Sequence, residues 1–455
     1  MNVLKIVASF RAQLLAVSAL FIIVACGGGS GTAPTSAINP QPSTSTGTVG
    51  LLFTDAPTDE FSAILLNVTD AILIGGDGKQ HFLFQGSEPI DLLDLTNFNE
   101  PIVFGEVSAG NYTKLRLIVS ELELVPKDGG ESIFPKLPGN GKIDLLQADG
   151  FNVLPGRTLM IEVDMDANKS IKITSAGNSG KYQFRPVVKV KIMDGGMPHK
   201  LARLEGSVDE ILSDPAGSFV LCDIDSPEHC VTVATNSDTG VFNDQGLVTD
   251  FSTLESGNMV VAIGNYETDP AIVLNAVVLE IGGNSEQVKG NVVSNPMNDQ
   301  FLMVVDDNGD LIVELQPGTD VLAGTKFYDA SGAIDRDAIV IGVDVEIEGV
   351  KPADADPDVI RAALVFLEAD PDEQISGTIA TDPDDIARTF DLTLEDLSSV
   401  CVQVNEDADI LLVDATNSVV TMGDFTDLAA EQIVDVFGEP AENCFNANEV
   451  IVTLP

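Results

Sequence analysis

The sequence predicts an all-β protein, a sandwich of antiparallel strands followed by three small β-barrels, and three observations lead there. Residues 48–193 break into short apolar or alternating runs such as "VGLLFTDAP", "SAILLNVTDAILI" and "YTKLRLIVSELELV". Between them stand "GGDGK", "PKDGG" and "LPGNGK", whose glycines, prolines and acidic residues are turn chemistry. After residue 200 the chain repeats itself, with starting glycines at Gly206, Gly290 and Gly377, 84 and 87 residues apart.

The first block is rich in Val, Ile, Leu and Thr at strand length, which places its core between two sheets. Each later unit has the same plan. Opening strands around "LARLEGSV", "SEQVKGNV" and "DEQISGTI" lead to an apolar strand, "GSFVLCDID", "DQFLMVVDD" or "RTFDLTLED". A further strand ("CVTV", "IVEL", "CVQV") puts Cys230, Ile312 and Cys401 at equivalent places. After a variable excursion, a strand ends at Gly264, Gly349 or Gly438, which lie 58, 59 and 61 residues after the starting glycines. Five strands with a longer, partly helical excursion between the third and fourth describe an OB-like barrel. The repeats are placed at 200–283, 286–369 and 373–455, and serial modules of this size would reach roughly 100 Å.

Charge narrows the function. The 23 Lys+Arg against 71 Asp+Glu give a formal net charge of -48, a field that repels phosphate backbones and anionic headgroups, so no nucleic-acid partner is expected. An apolar content of 44% is too high for wholesale disorder.

At the start, Lys5 and Arg11 precede an apolar run over residues 14–25, too short to span a hydrocarbon core that needs roughly 20 residues. Ile23-Val24-Ala25-Cys26 resembles a bacterial lipobox. That resemblance implies a signal peptide at 1–25, lipidation of Cys26 by thioether-linked diacylglycerol and fatty acyl chains, and a membrane partner. Gly27 after the cysteine, where inner-membrane retention would need Asp, implies the outer membrane in a diderm cell. Residues 26–47 read as a Gly/Ser/Thr/Pro tether with a typical span of about 25 Å.

Four further cysteines remain in an exported chain, and pairing within repeats, Cys222 with Cys230 and Cys401 with Cys444, is expected, free thiols being the alternative.

Residues 48–192 also resemble a family of bacterial lipoprotein domains known only as unknown-function family 4382. The matching residues are Thr54-Asp55-Ala56-Pro57, Asp91 to Leu95, Gly110-Asn111-Tyr112 leading to Leu115-Arg116-Leu117, Asp164-Met165-Asp166-Ala167 with Lys169-Ser170, and Arg185-Pro186-Val187. The resemblance implies a transthyretin- or immunoglobulin-like β-sandwich and brings no activity. The repeats are similar, more loosely, to unknown-function family 5666.

Candidate sites are few. Asp306, Asn308 and Asp310 in "VVDDNGDLIV" offer oxygens to a hard cation, but their spacing is not that of an EF-hand and the flanking strands read as a hairpin. Asp164 and Asp166 in "DMDAN", together with Asp55, form the other metal candidate, while Asp166 reads equally as a residue that caps backbone or pairs with a lysine. Calcium is the one cofactor class this admits. No nucleophile elbow, metalloprotease helix, P-loop or dinucleotide fingerprint occurs, and the histidines are His81, His199 and His229. No catalytic residue is assigned. The chain reads as a non-enzymatic, lipid-anchored envelope protein that binds, scaffolds or adheres through an envelope or surface protein partner. A calcium-binding surface module is the alternative, and a hydrolase around His81 ranks below it.

Overall fold

The computed structural model describes residues 46–454 except 55–60, 96, 128, 148–149, 177–178, 185, 194–199, 214, 223, 225–229, 269–271, 306–308, 320, 353–357, 369–372, 395, 415 and 442. The fold is all-β. The sandwich contains β1 (Thr46–Thr54), β2 (Phe61–Gly75), β3 (Gln80–Asp91), β4 (Phe98–Ser108), β5 (Gly110–Pro126), β6 (Lys142–Leu146), β7 (Phe151–Val153), β8 (Thr158–Met165), β9 (Ile171–Ala176), β10 (Ser179–Phe184) and β11 (Val188–Met193). One sheet runs β11-β8-β1-β4 and the facing one β6-β5-β2-β3, with β9 and β10 as a separate hairpin.

Alternation explains how these strands bury one face. In β5 the inward residues Leu115, Leu117 and Val119 alternate, Tyr112 joins them across a one-residue offset, and beyond Val119 the phase slips so that Leu122 and Leu124 continue the row. Register shifts on its partner β2 around Val68 absorb the slip, as a β-bulge does. Without it, half of the row would face water.

The first barrel is β12 (Leu201–Leu212), β13 (Ser218–Cys222), β14 (Cys230–Ala234), β15 (Gly240–Phe242), β16 (Met259–Glu267) and β17 (Val273–Ile281). The second is β18 (Ser285–Val292), β19 (Gln300–Val305), β20 (Gly309–Leu315), β21 (Lys326–Asp329), β22 (Gly332–Ala333), β23 (Asp344–Val350) and β24 (Val359–Leu367). The third is β25 (Glu373–Ile379), β26 (Thr389–Leu394), β27 (Ser399–Asp414), β28 (Val419–Gly423), β29 (Ile433–Pro440) and β30 (Phe445–Thr453). Each closes in the same way. Setting aside the short excursion strands β15, β21, β22 and β28, the first strand pairs with the second and fourth, the second with the third, and the fifth joins the third in parallel to the fourth antiparallel. This order, 1-2-3-5-4-1, is the OB arrangement.

The landmark glycines now have a cause. A Cβ at Gly206, Gly290 or Gly377 would be driven into the carbonyl of Cys222, Val304 or Thr393 on the neighbouring strand, near where the first strand passes from the fourth strand to the second. Gly264, Gly349 and Gly438 lie at register shifts, and there a Cβ would meet the carbonyl of Asn275, Arg361 or Asn446. Only glycine lets the backbones approach so closely at the tight corners of a small barrel.

Two expectations change. Among the described residues the excursion between third and fourth strands is not helical beyond single 3-10 turns at Phe251–Thr253, Arg336–Ala338 and Phe425–Asp427, and it adds the short strands β15, β21, β22 and β28 between turns. In the third barrel β28 pairs outward with β6 as well as locally with β27, so chain that reads as a polar excursion is held as sheet. The modules also do not follow one another like beads. From Thr44 on, the chain forms a single compact unit. The short β12 segment Leu201–Ala202 pairs in parallel with Phe98–Asn99 of β4, and β28 of the last barrel pairs in parallel with β6 of the sandwich. Edge pairing removes open strand edges that would otherwise template aggregation.

Candidate functional site at the module junctions

Every barrel docks through one face, the outward side of its fourth and fifth strands. In the first barrel that face carries Val261, Ile263, Val278 and Glu280; at the equivalent places the second has Glu346, Glu348, Leu364 and Phe366, and the third Asp435, Phe437, Glu449 and Ile451. All twelve are buried. The first two faces share one apolar cluster with Phe98 of the sandwich. The third enters the sandwich core itself, where Phe437 and Ile451, with Leu411, Val413 and Val420, join Leu117, Val119 and Leu145.

Charges sit inside both junctions. Where the third barrel meets the sandwich, Lys169 Nζ lies 2.7 Å from Asp166 Oδ2 and 3.1 Å from Glu449 Oε1, and 4.1 Å from the centre of the Phe437 ring. Lys189 Nζ contacts Glu449 Oε2 and is 3.3 Å from Asp409 Oδ2. Burial would lower the pKa of Lys189, but Glu449, Asp164 and Asp409 outweigh it and hold the ammonium above its ordinary value. For Lys169, Asp166 and Glu449 likewise overcome burial. Burial raises the Glu449 carboxyl in spite of both lysines.

The second charged junction joins the first two barrels to the sandwich. Arg203 on β12 donates from Nε and Nη2 to the two oxygens of Glu348, at 3.0 and 3.1 Å. The Ser285 hydroxyl contacts Glu280 and lies 2.5 Å from Glu348 Oε1. Asn97 donates its amide to Glu346 and, at 3.0 Å, to Glu368, while Gln287 Nε2 donates to Glu346 at 3.0 Å. Lys289 Nζ donates to the Leu93 carbonyl at 3.2 Å and stands 3.8 Å from both Glu346 and Glu368. A cavity of about 370 Å³ opens beside this cluster, lined by Phe98, Glu100, Pro101, Arg203, Glu205 and Gln287 among others.

The sequence candidates fall in different places. Asp166 Oδ1 accepts the Lys169 backbone N–H at 2.9 Å while its other oxygen pairs with the Lys169 ammonium, so it caps and neutralises at once. Asp164, one residue before the end of β8, is partly exposed, with one oxygen lacking a hydrogen-bond partner. Asp310 is an exposed residue of β20, opposite Val304 in the hairpin. Asp55, Asp306, Asn308, Cys26, His199 and His229 lie outside the described residues. Among the described residues no three His, Cys, Asp or Glu side chains are placed to hold a metal ion. His81 stacks edge-on to Tyr112 at 5.2 Å. Both disulfides, Cys222–Cys230 and Cys401–Cys444, are formed.

Residues of the motifs quoted for the sandwich build its frame. Thr54 Oγ1 donates to the Leu95 carbonyl, Asp91 accepts from the Ile64 and Leu93 amides, and the Tyr112 hydroxyl donates to the Ser108 carbonyl at 2.6 Å. Ser170 Oγ accepts the Val187 amide at 2.8 Å, tying two of the motifs together. Residues 46–186 match the model of a family described as "Domain of unknown function (DUF4382)". The match covers the sandwich from β1 through β10, leaving out β11, and none of the barrels. A comparison with curated proteins finds no match.

The junction residues Glu280, Glu346, Glu348, Glu449, Arg203 and Lys189 escaped sequence reasoning. In "VEIEGV" the glutamates alternate with apolar residues, which is the pattern of a half-exposed strand. A signal was present in the first repeat, where "VVAIG" puts valine and isoleucine at the same outward places and so marks a strand covered on both faces.

Proposed function

We propose that this protein is a lipid-anchored, non-enzymatic module of the cell envelope, fixed to the outer membrane through Cys26, whose rigid body serves binding or scaffolding. The observation that carries the reading is the pair of disulfides, one inside the first barrel and one inside the third. Such bonds persist in oxidising compartments, in keeping with export. A body locked by shared cores and buried ion pairs suits presentation of a fixed surface, and Thr54, Asp91, Tyr112 and Ser170 of the sandwich motifs are engaged in backbone contacts rather than gathered around a cavity. Several acyl chains at roughly 0.8 kcal/mol per buried methylene would hold it on the bilayer.

Expression of the full chain and of Cys26→Ser with labelled palmitate tests the reading. Label and membrane fractionation are expected for the natural sequence and loss of both for the variant. A Cys26→Ser protein that stays with the membrane would overturn it.

A further inference from the structure

We propose that the junction of the first two barrels with the sandwich is a proton-operated latch, closed while its buried carboxyl groups hold protons and loosened as they ionise. The geometry places five carboxyl groups, Glu205, Glu280, Glu346, Glu348 and Glu368, around two cations, Arg203 and Lys289. Glu280, Glu346 and Glu348 are 2%, 1% and 0% exposed. The Arg203 guanidinium is committed to Glu348, with Glu205 3.6 Å away on its outer side. Lys289, the more exposed cation, is shared between Glu346 and Glu368. Full ionisation would therefore leave a net negative charge inside a desolvated interface, which costs heavily where water cannot screen it.

Hydrogen-bond chemistry makes the same demand. Ser285 Oγ is in contact with carboxyl oxygens of both Glu280 and Glu348, and it has one proton to donate. That single proton cannot serve both contacts, so one carboxyl group must donate in the other, and Glu348 is the one paired with arginine. Glu280 is therefore the protonated partner. Burial first, then the charge of Glu348, holds it well above the ordinary carboxyl range. Burial pushes Glu346 up to about 7, with Lys289 and the Asn97 amide opposing and Glu368 and Glu348 reinforcing.

The sign follows from linkage. These groups keep protons in the folded junction that they lose in the unfolded chain, so their contribution is complete below the ordinary value of 4.5 and is lost as pH rises through about 7. The groups that face them, among the described residues, come from all three modules: Asn97 and the Leu93 carbonyl from the sandwich, Arg203 and Glu205 from β12, and Ser285, Gln287, Lys289 and Glu368 from the second barrel. Alkalinisation thus acts on the contact between modules and not on any barrel core.

Hydrogen exchange of the full chain at pH 5.5, 7 and 8.5, corrected for intrinsic rates, reads the latch in peptides covering residues 201–207 and 344–350. Protection there is expected to fall by about tenfold or more across that range, a change of one pKa unit's worth of free energy being tenfold. Peptides from β1 and β5 should hold theirs. Glu280→Gln and Glu346→Gln keep the neutral shape, so each should flatten the dependence. Protection in the natural sequence that is independent of pH, glutamine variants that retain the original slope, or glutamine variants that fail to fold would each overturn the proposal.

Discussion

Lys189 of the sandwich is ion-paired with Glu449 of the last barrel, 260 residues further along the chain, in a junction where both side chains are almost fully enclosed. Lys169 approaches the same carboxylate from the helical turn Ala167–Ser170 that follows β8. Removing one partner of a buried pair strands the other, at about 3–5 kcal/mol, while replacing both with apolar groups is close to neutral. Lys189→Met is therefore expected to destabilise strongly, and Lys189→Met with Glu449→Met to recover much of the loss. Urea unfolding of the single and double variants checks it. A double variant as unstable as the sum of the singles would contradict the pairing.

Asp144 gives a pH dependence of opposite sign to the latch. Arg116 donates to it from Nε at 2.5 Å and Nη2 at 2.7 Å, and Lys114 from Nζ at 2.7 Å. Burial alone would raise its pKa, but these two donors outweigh burial and hold it below the ordinary 3.8. Its stabilisation is therefore present above 3.8 and is lost as pH falls through the lowered value. Asp144→Asn should cost about 1–3 kcal/mol at pH 7 and much less at pH 2. Unfolding curves at the two pH values measure the difference.

The glycines separate sterics from backbone strain. Gly264→Ala, Gly349→Ala and Gly438→Ala each push a methyl group into a strand carbonyl and should cost about 1–3 kcal/mol or more. Gly78 has φ +80° and open space around it, so Gly78→Ala should cost only about 1 kcal/mol of conformational strain. Differential scanning calorimetry of the four variants ranks them, and an equal effect at Gly78 and Gly438 would refute the close-approach explanation.

The two disulfides close loops of different length, with sequence separations of 8 and 43. On the chain-entropy account the shorter is worth about 2.5 kcal/mol and the longer about 4. The Cys401→Ser, Cys444→Ser pair of changes should thus lower the melting temperature more than Cys222→Ser with Cys230→Ser. The reverse order would mean that the third barrel is held chiefly by its sandwich contacts.

Much of this fold was legible in the sequence. Period-two patterning and turn residues marked the strands, the glycine spacing marked the three barrels, and cysteine position marked both disulfides. What the sequence hid was the way modules meet. Asp435 and Phe437 occupy places equivalent to Glu346 and Glu348, and nothing local distinguishes an outward glutamate in water from one buried against another module. Periodicity reports which residues face a barrel's own core; it carries no record of a second surface brought up by chain 260 residues away. Asp166 pairs with Lys169 three residues on, the alternative its sequence allowed, whereas Lys189 comes opposite Asp164 only when β8 and β11 pair, a neighbour no local pattern shows.

The account rests above all on the third barrel completing the core of the sandwich. Leu411, Val413, Val420, Phe437 and Ile451 are buried there. At about 1.5–3 kcal/mol each they contribute on the order of 10 kcal/mol, comparable with the whole stability of a domain. The direct measurement is thermal unfolding and protease resistance of a chain ending at residue 369, compared with the full chain. The truncated protein is expected to lose the cooperative transition of the sandwich and to be cleaved within β2 and β5. A truncated protein that unfolds cooperatively at the full-length temperature, with those strands protected, would show that sandwich and third barrel are independent bodies.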